Sequence, residues 1–132
     1  MWPSRVERVA AVLRAAGVEG RLEELPGDDR IPGPAIRAEG YDCDGRSVIA
    51  LVPQDSEVDG RKLALAARCT VARLADVPAF PYPNATVLID RLVLAEQEVW
   101  IEAGSPRHVA RLAPAQLVHV THAQATDLAA DS

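Results

Sequence analysis

The chain has 132 residues, of which 48% are hydrophobic and 25% charged, with a formal net charge of -5. That length and composition suit one ordinary core and exclude a disordered chain, and no apolar run approaches the length of a membrane span. The acidic balance argues against binding DNA or long stretches of nucleic acid, which requires many phosphates to be neutralised, but leaves room for contact with one RNA terminus.

In chain order, Ser4 followed by Glu7 gives a capping box, and Val6, Val9, Ala10 and Leu13 recur at helical spacing, with Gly17 placed to end the helix. Arg21 to Leu25 reads as a short strand. Pro26 to Pro34, PGDDRIPGP, is a loop by composition. Ile36, Tyr41 and Cys43 mark a strand that turns at Asp44-Gly45 into the apolar run Val48 to Val52, an interior strand closed by Pro53.

Asp55 or Ser56 is placed to cap a helix from Val58 to Arg68, with Asp59 in its first turn and Leu63, Ala66 and Ala67 inward. Lys62, the single lysine, is expected to face solvent. Cys69 to Leu74 reads as a strand and Val77 to Asn84 as a second proline-rich loop. Thr86 to Asp90, Val99 to Ala103 and Val109 to Leu112 read as further strands. Pro114 opens a short helix holding Leu117 and Val118, and the chain closes with one last strand and a tail frayed from about residue 126. Irregular alternation of helices and strands gives an α/β or mixed α+β class, with residues 1–132 as a single domain.

Two cysteines, Cys43 and Cys69, are too few for a disulfide framework or a zinc cage and are expected as reduced thiols of a cytoplasmic protein. His119 and His122 sit three apart without a third ligand nearby, so no metal site is expected. No phosphate loop, dinucleotide fingerprint or nucleophile elbow occurs, and no cofactor is expected. His108 stands in AGSPRH, where Gly104 and Ser105 leave a strand and let backbone approach a ligand closely. By itself that turn fits a solvated loop histidine better than a site.

Four blocks carry a further signal: ALVPQDSEVDGRKLA at Ala50 to Ala64, VLIDR at Val87 to Arg91, EVWIEAGSPRH at Glu98 to His108 and RLAPAQL at Arg111 to Leu117. Their order and spacing resemble the YbaK family of aminoacyl-tRNA editing domains, which includes the ProX proteins and the editing domain of bacterial prolyl-tRNA synthetases. The resemblance implies a mixed, barrel-like sheet flanked by a few short helices. It also implies hydrolysis of the ester of a mischarged tRNA, with the aminoacyl-adenosine at the tRNA 3′ end as ligand and a synthetase as a further partner; oligomeric state is left open. Aligning the Asp44-Gly45 turn places Arg37 where the family carries its pocket lysine, and an arginine there changes the geometry. Arg37 and His108 then stand as catalytic candidates, with Gly104, Ser105, Val77, Pro78 and Phe80 shaping the pocket. No glycine occurs between Gly60 and Gly104, so the family's glycine loop is lacking and the chain reads as a trimmed member. The alternative implied by those departures is a degenerate domain that binds an aminoacyl group, a nucleotide or a protein without hydrolysis.

Overall fold

The computed structural model describes residues 2–18, 21–25, 31 and 33–130. The first helix, α1 (Ser4–Ala15), buries Val6, Val9 and Leu13, the stripe its spacing predicts. Its start differs from expectation. Pro3 is the cap, and its carbonyl accepts from Val6 and Glu7 N–H, so Ser4 already lies inside the helix and forms no capping box. Gly17 has φ +68 and ends the helix as expected.

Strand β1 (Arg21–Glu24) follows, and the proline-rich loop expected after it lies mostly outside the described residues. Strands β2 (Ala35–Cys43) and β3 (Arg46–Pro53) form a hairpin through Asp44 and Gly45, both at positive φ. Two consecutive left-handed residues match the right-handed twist of the flanking strands, which is why an Asp-Gly pair suits this turn. Val48 to Val52 are fully buried, consistent with an interior strand.

The helix α2 (Gly60–Ala67) begins later than Asp55 or Ser56 would allow. Residues 54–58 are spent on a turn from Pro53 and on a bridge from Val58 to Ala129, so Asp59 becomes the cap, accepting from Arg61 and Lys62 N–H. Beyond it, Cys69 is joined to Cys43 in a disulfide with Cα atoms 5.5 Å apart, not left as a thiol. The ladder of β2 with β4 (Ala72–Ala75) ends at the pair Cys43 and Ala72, three residues beyond Cys69, and the strand expected from Cys69 starts correspondingly later.

Strand β5 (Thr86–Asp90) leads into a one-turn helix α3 (Arg91–Leu94), which the sequence pattern did not signal. Strands β6 (Val99–Ser105) and β7 (His108–Leu112) form a second hairpin, and α4 (Pro114–Thr121) begins at Pro114 as expected, with Gln116 Oε1 accepting the Ala113 N–H at 2.9 Å. Strand β8 (Gln124–Thr126) is followed by an anchored segment, not a frayed one: Leu128 is fully buried and Ala130 N–H donates to the Glu57 carbonyl.

The eight strands among the described residues make one mixed sheet in the order β1-β7-β6-β2-β3-β5-β8, with β4 on β2. Parallel contacts join β2 to β6, β3 to β5 and β5 to β8, and the remaining pairs are antiparallel. Strand alternation divides the side chains between two cores. One face carries Ile36, Ile49, Leu51, Ile89, Ile101 and Leu112 against Val9 and Leu13 of α1 and Leu117 of α4. The other carries Tyr41, Val48, Ala50, Val52 and Leu88 against Leu63 and Ala67 of α2 and Leu128 of the C-terminal segment.

Candidate functional site

On the α2 side of the sheet, Arg37, Glu39 and Tyr41 share one face of β2 because they lie two residues apart along a strand. The Arg37 guanidinium pairs with one carboxylate oxygen of Glu39 and donates to the Ser56 carbonyl at 2.5 Å, while the Tyr41 hydroxyl donates to the other Glu39 oxygen at 2.5 Å. Burial pushes the Tyr41 phenol above its ordinary value, opposed by the positive charge of Arg37. Arg37 and Glu39, with Gln54, Asp55, Ser56, Glu57 and Val58, line a cavity of about 540 Å³. Register explains the composition of that wall. Arg37 pairs with Val52, so the chain leaving β3 passes directly beside it.

Glu39 and residues 54–58 are therefore the lining groups that sequence reasoning missed. The signal was available: the period of two in β2 points Glu39 the same way as Arg37, and the hairpin register from Asp44-Gly45 brings the end of β3 back to Arg37.

His108 occupies the opposite face. Ala110 and Leu112, two and four residues along β7, belong to the α1-side core, and His108 itself is 6% exposed. Its Nδ1 lies 2.6 Å from Ser105 Oγ, which also accepts the Arg107 N–H at 3.1 Å. Its Nε2 lies 4.0 Å from Glu24 Oε2, is buried and has no hydrogen-bond partner among the described residues, and the Trp2 ring stands edge-on with centroids 6.0 Å apart. The histidine is thus buried, not a solvated loop residue, and the sheet separates it from Arg37. The two do not meet in one pocket.

Gly104 also differs from its expected part. Its φ of +97 requires glycine, but a Cβ there would lie 2.9 Å from the backbone of Arg5 and Val6, so the close approach is made by α1 and not by a ligand. Ser105 orients His108. Of the loop residues, Val77 and Pro78 are exposed, whereas Phe80 is buried against Tyr82 with ring centroids 5.6 Å apart, and none of the three lines the Arg37 cavity. Burial, then the negative charge of Glu102, pushes the Tyr82 phenol strongly up.

Two other motif residues prove to be structural. Asp90 of VLIDR is 1% exposed, with Oδ1 accepting from Leu128 and Ala129 N–H at 2.7 and 3.0 Å and Oδ2 capping α3 through Leu92 N–H at 3.1 Å. Lys62 is not a solvent-facing lysine: its ammonium donates to the Ala129 carbonyl at 2.8 Å and to Asp127 at 3.2 Å. The VDGRKLA and VLIDR blocks together clamp the C-terminal segment.

His119 and His122 are exposed, and no group of three potential metal ligands occurs among the described residues. No helix among them is long and apolar enough to cross a membrane.

No family model matches the chain, and no curated protein matches it. Among solved structures, the chain is similar over 99% of its length and 100% of the other to a protein proposed as a trans-editing enzyme for prolyl-tRNA synthetase, with a TM-score of 0.85 and 20% identity. It is equally similar to a chain from work on computational grafting of linear epitopes onto scaffold proteins, with a TM-score of 0.86, 22% identity and the same coverage. A proposed signal-transduction protein from Marinobacter aquaeolei VT8 contains the same architecture in 31% of its chain, with a TM-score of 0.74 and 17% identity. At these identities it is the fold that is shared, and the fold of this chain is the mixed-sheet YbaK type that its sequence blocks resemble.

Proposed function

We propose that the protein is a trans-acting aminoacyl-tRNA deacylase, hydrolysing the ester of a mischarged tRNA at its 3′ end. The observation that carries this reading is the full-length similarity of fold to a protein proposed as a trans-editing enzyme, joined to a cavity at Arg37, the position that the family resemblance assigns to its pocket lysine. Such hydrolysis is needed because a synthetase pocket discriminates weakly between amino acids differing by little apolar bulk, so a second site must remove the errors. The cavity offers groups suited to the task. The Gln54 amide and Ser56 hydroxyl can hydrogen-bond an ester carbonyl and a water, and the neighbouring carboxylates can accept the proton that water loses on attack.

Arg37 serves in this reading as a positioning residue, tying Ser56 and Glu39 together at the cavity wall. His108 has a separate place: it orders the β6–β7 turn through Ser105 and lies buried on the other face of the sheet, away from the Arg37 cavity.

A panel of alanyl-, cysteinyl-, prolyl- and seryl-tRNAs carrying mismatched amino acids tests the proposal. Release of amino acid from at least one, with Arg37→Ala lowering kcat/KM by about tenfold or more and Arg37→Lys restoring part of it, is the expected result. No release from any of them overturns it.

A second reading, a domain that binds an aminoacyl ligand without hydrolysis, is favoured by one feature: among the described residues, no histidine or cysteine lines the Arg37 cavity. Binding of an aminoacyl-adenosine amide without turnover of the corresponding ester would establish that reading instead.

A further inference from the structure

Cys43 and Cys69 are brought together by contacts that do not depend on a bond between them. Cys43 ends β2 inside the α2-side core with no exposure, while Cys69 stands two residues beyond α2 and is half-buried. Their Cα atoms are 5.5 Å apart, a separation that a disulfide spans without moving the backbone. Directly across the hairpin from Cys43, the Arg46 guanidinium donates to the Ala67 carbonyl at 2.6 Å. The Thr70 N–H donates to Asp44 Oδ2 at 2.8 Å and the Cys69 N–H to the Ala64 carbonyl at 3.0 Å, while Leu63 and Ala67 pack α2 onto the sheet. A chain of 132 residues with its own core folds without a covalent staple, so this junction is expected to form with both sulfurs as thiols. The disulfide is then a second state of a junction already built.

We propose that Cys43 and Cys69 form a reversible dithiol–disulfide switch, with Cys69 as a modification site for low-molecular-weight thiols and disulfides. Burial sets the order of events. The Cys69 thiolate attacks a sulfur of an external disulfide such as oxidised glutathione, whose S–S bond breaks and releases one thiolate. Cys43 then gives up its proton and attacks the Cys69 sulfur of the mixed disulfide, expelling the second thiol. Two protein thiols are oxidised by two electrons, and one external disulfide is reduced to two thiols. Reduction runs the same steps backwards through Cys69. Arg46 favours the reactive form, because its guanidinium sits on the last carbonyls of α2, whose negative ends would otherwise disfavour a thiolate beside them. The effect is local. Oxidation ties residues 64–75 to the hairpin, whereas residues 54–58 are held at the other end of α2 by the Asp59 cap and the Val58–Ala129 bridge in either state. The switch stands whatever the Arg37 cavity binds.

The test begins with the reduced, folded wild-type chain and a limiting amount of N-ethylmaleimide, followed by peptide mass mapping. Cys69 is expected to be labelled at least about tenfold faster than Cys43. Labelling of Cys43 at an equal or greater rate overturns Cys69 as the entry point. The chain is next equilibrated in buffers of graded reduced-to-oxidised glutathione ratio, acid-quenched, alkylated and weighed. A transition between dithiol and intramolecular disulfide within the series is expected, and Cys69→Ser should leave Cys43 a free thiol throughout. A pair that stays oxidised in the most reducing buffer, or never forms in the most oxidising one, overturns the reversible switch. Hydrogen exchange on the two forms reads its effect: amides of residues 64–75 should exchange about tenfold faster in the dithiol form, with residues 54–58 unchanged. Equal exchange over 64–75 in both forms overturns the junction as the element that is switched.

Discussion

Asp90 shows how a side chain that looks chemical in a motif can be wholly structural. Its buried carboxylate satisfies three backbone N–H groups from two separate segments, so removing it strands all three. Asp90→Ala is expected to lower unfolding free energy by about 3 kcal/mol in urea denaturation, since each unsatisfied buried donor is costly. Gly104 is constrained twice, by its positive φ and by the backbone of α1 against it. Gly104→Ala should therefore destabilise by about 2 kcal/mol or more, read as a lowered urea midpoint. Tyr82 supplies a pH dependence. Its phenol is raised above the ordinary value of 10.0, so the stability it confers is fully present below that pH and is lost as pH rises beyond it, because the unfolded chain ionises first. The fall in stability above about pH 10 should be smaller in Tyr82→Phe, measured by thermal melts across the alkaline range.

At the scale of elements, the C-terminal segment is the clearest departure from a reading by composition. ATDLAADS has the small and polar residues of a frayed end, yet Leu128 fills the α2-side core while Asp90 and Lys62 fix the backbone around it. Leu128→Ala is expected to cost about 2–5 kcal/mol, the range for a buried leucine, which a melting curve would register as a lower Tm. Composition could not reveal this because the partners lie 38 and 67 residues away in sequence. The same distance effect moved the start of α2. Asp55, Ser56 and Asp59 are all competent caps by type, and the bridge from Val58 to Ala129 gives the role to Asp59. The Asp44-Gly45 hairpin, by contrast, was legible in full, since its register depends only on residues adjacent in the chain.

For the whole molecule, the net charge of -5 fits the proposed contact with one end of an RNA better than binding along its length. The proposed deacylation should therefore show a shallow salt dependence. A log–log slope of KM on salt corresponding to about one to three phosphates is expected, against the steep slopes of proteins that track a duplex, and stopped assays over a salt series would measure it.

By itself the sequence determined the mixed α+β class, the interior strand Val48 to Val52, the β2–β3 hairpin, α1 and α4, and the block order that resembles the YbaK family. These depend on local periodicity, turn chemistry and spacing. Tertiary structure decided which candidate residues share a site. Arg37 and His108 are both strand residues with plausible chemistry, but strand parity and pairing put them on opposite faces of one sheet, and only the paired sheet fixes which face each residue takes. It also decided that Glu39 and residues 54–58 stand beside Arg37, because a cavity wall is made where separate strands end together, and that meeting is a property of the folded chain alone.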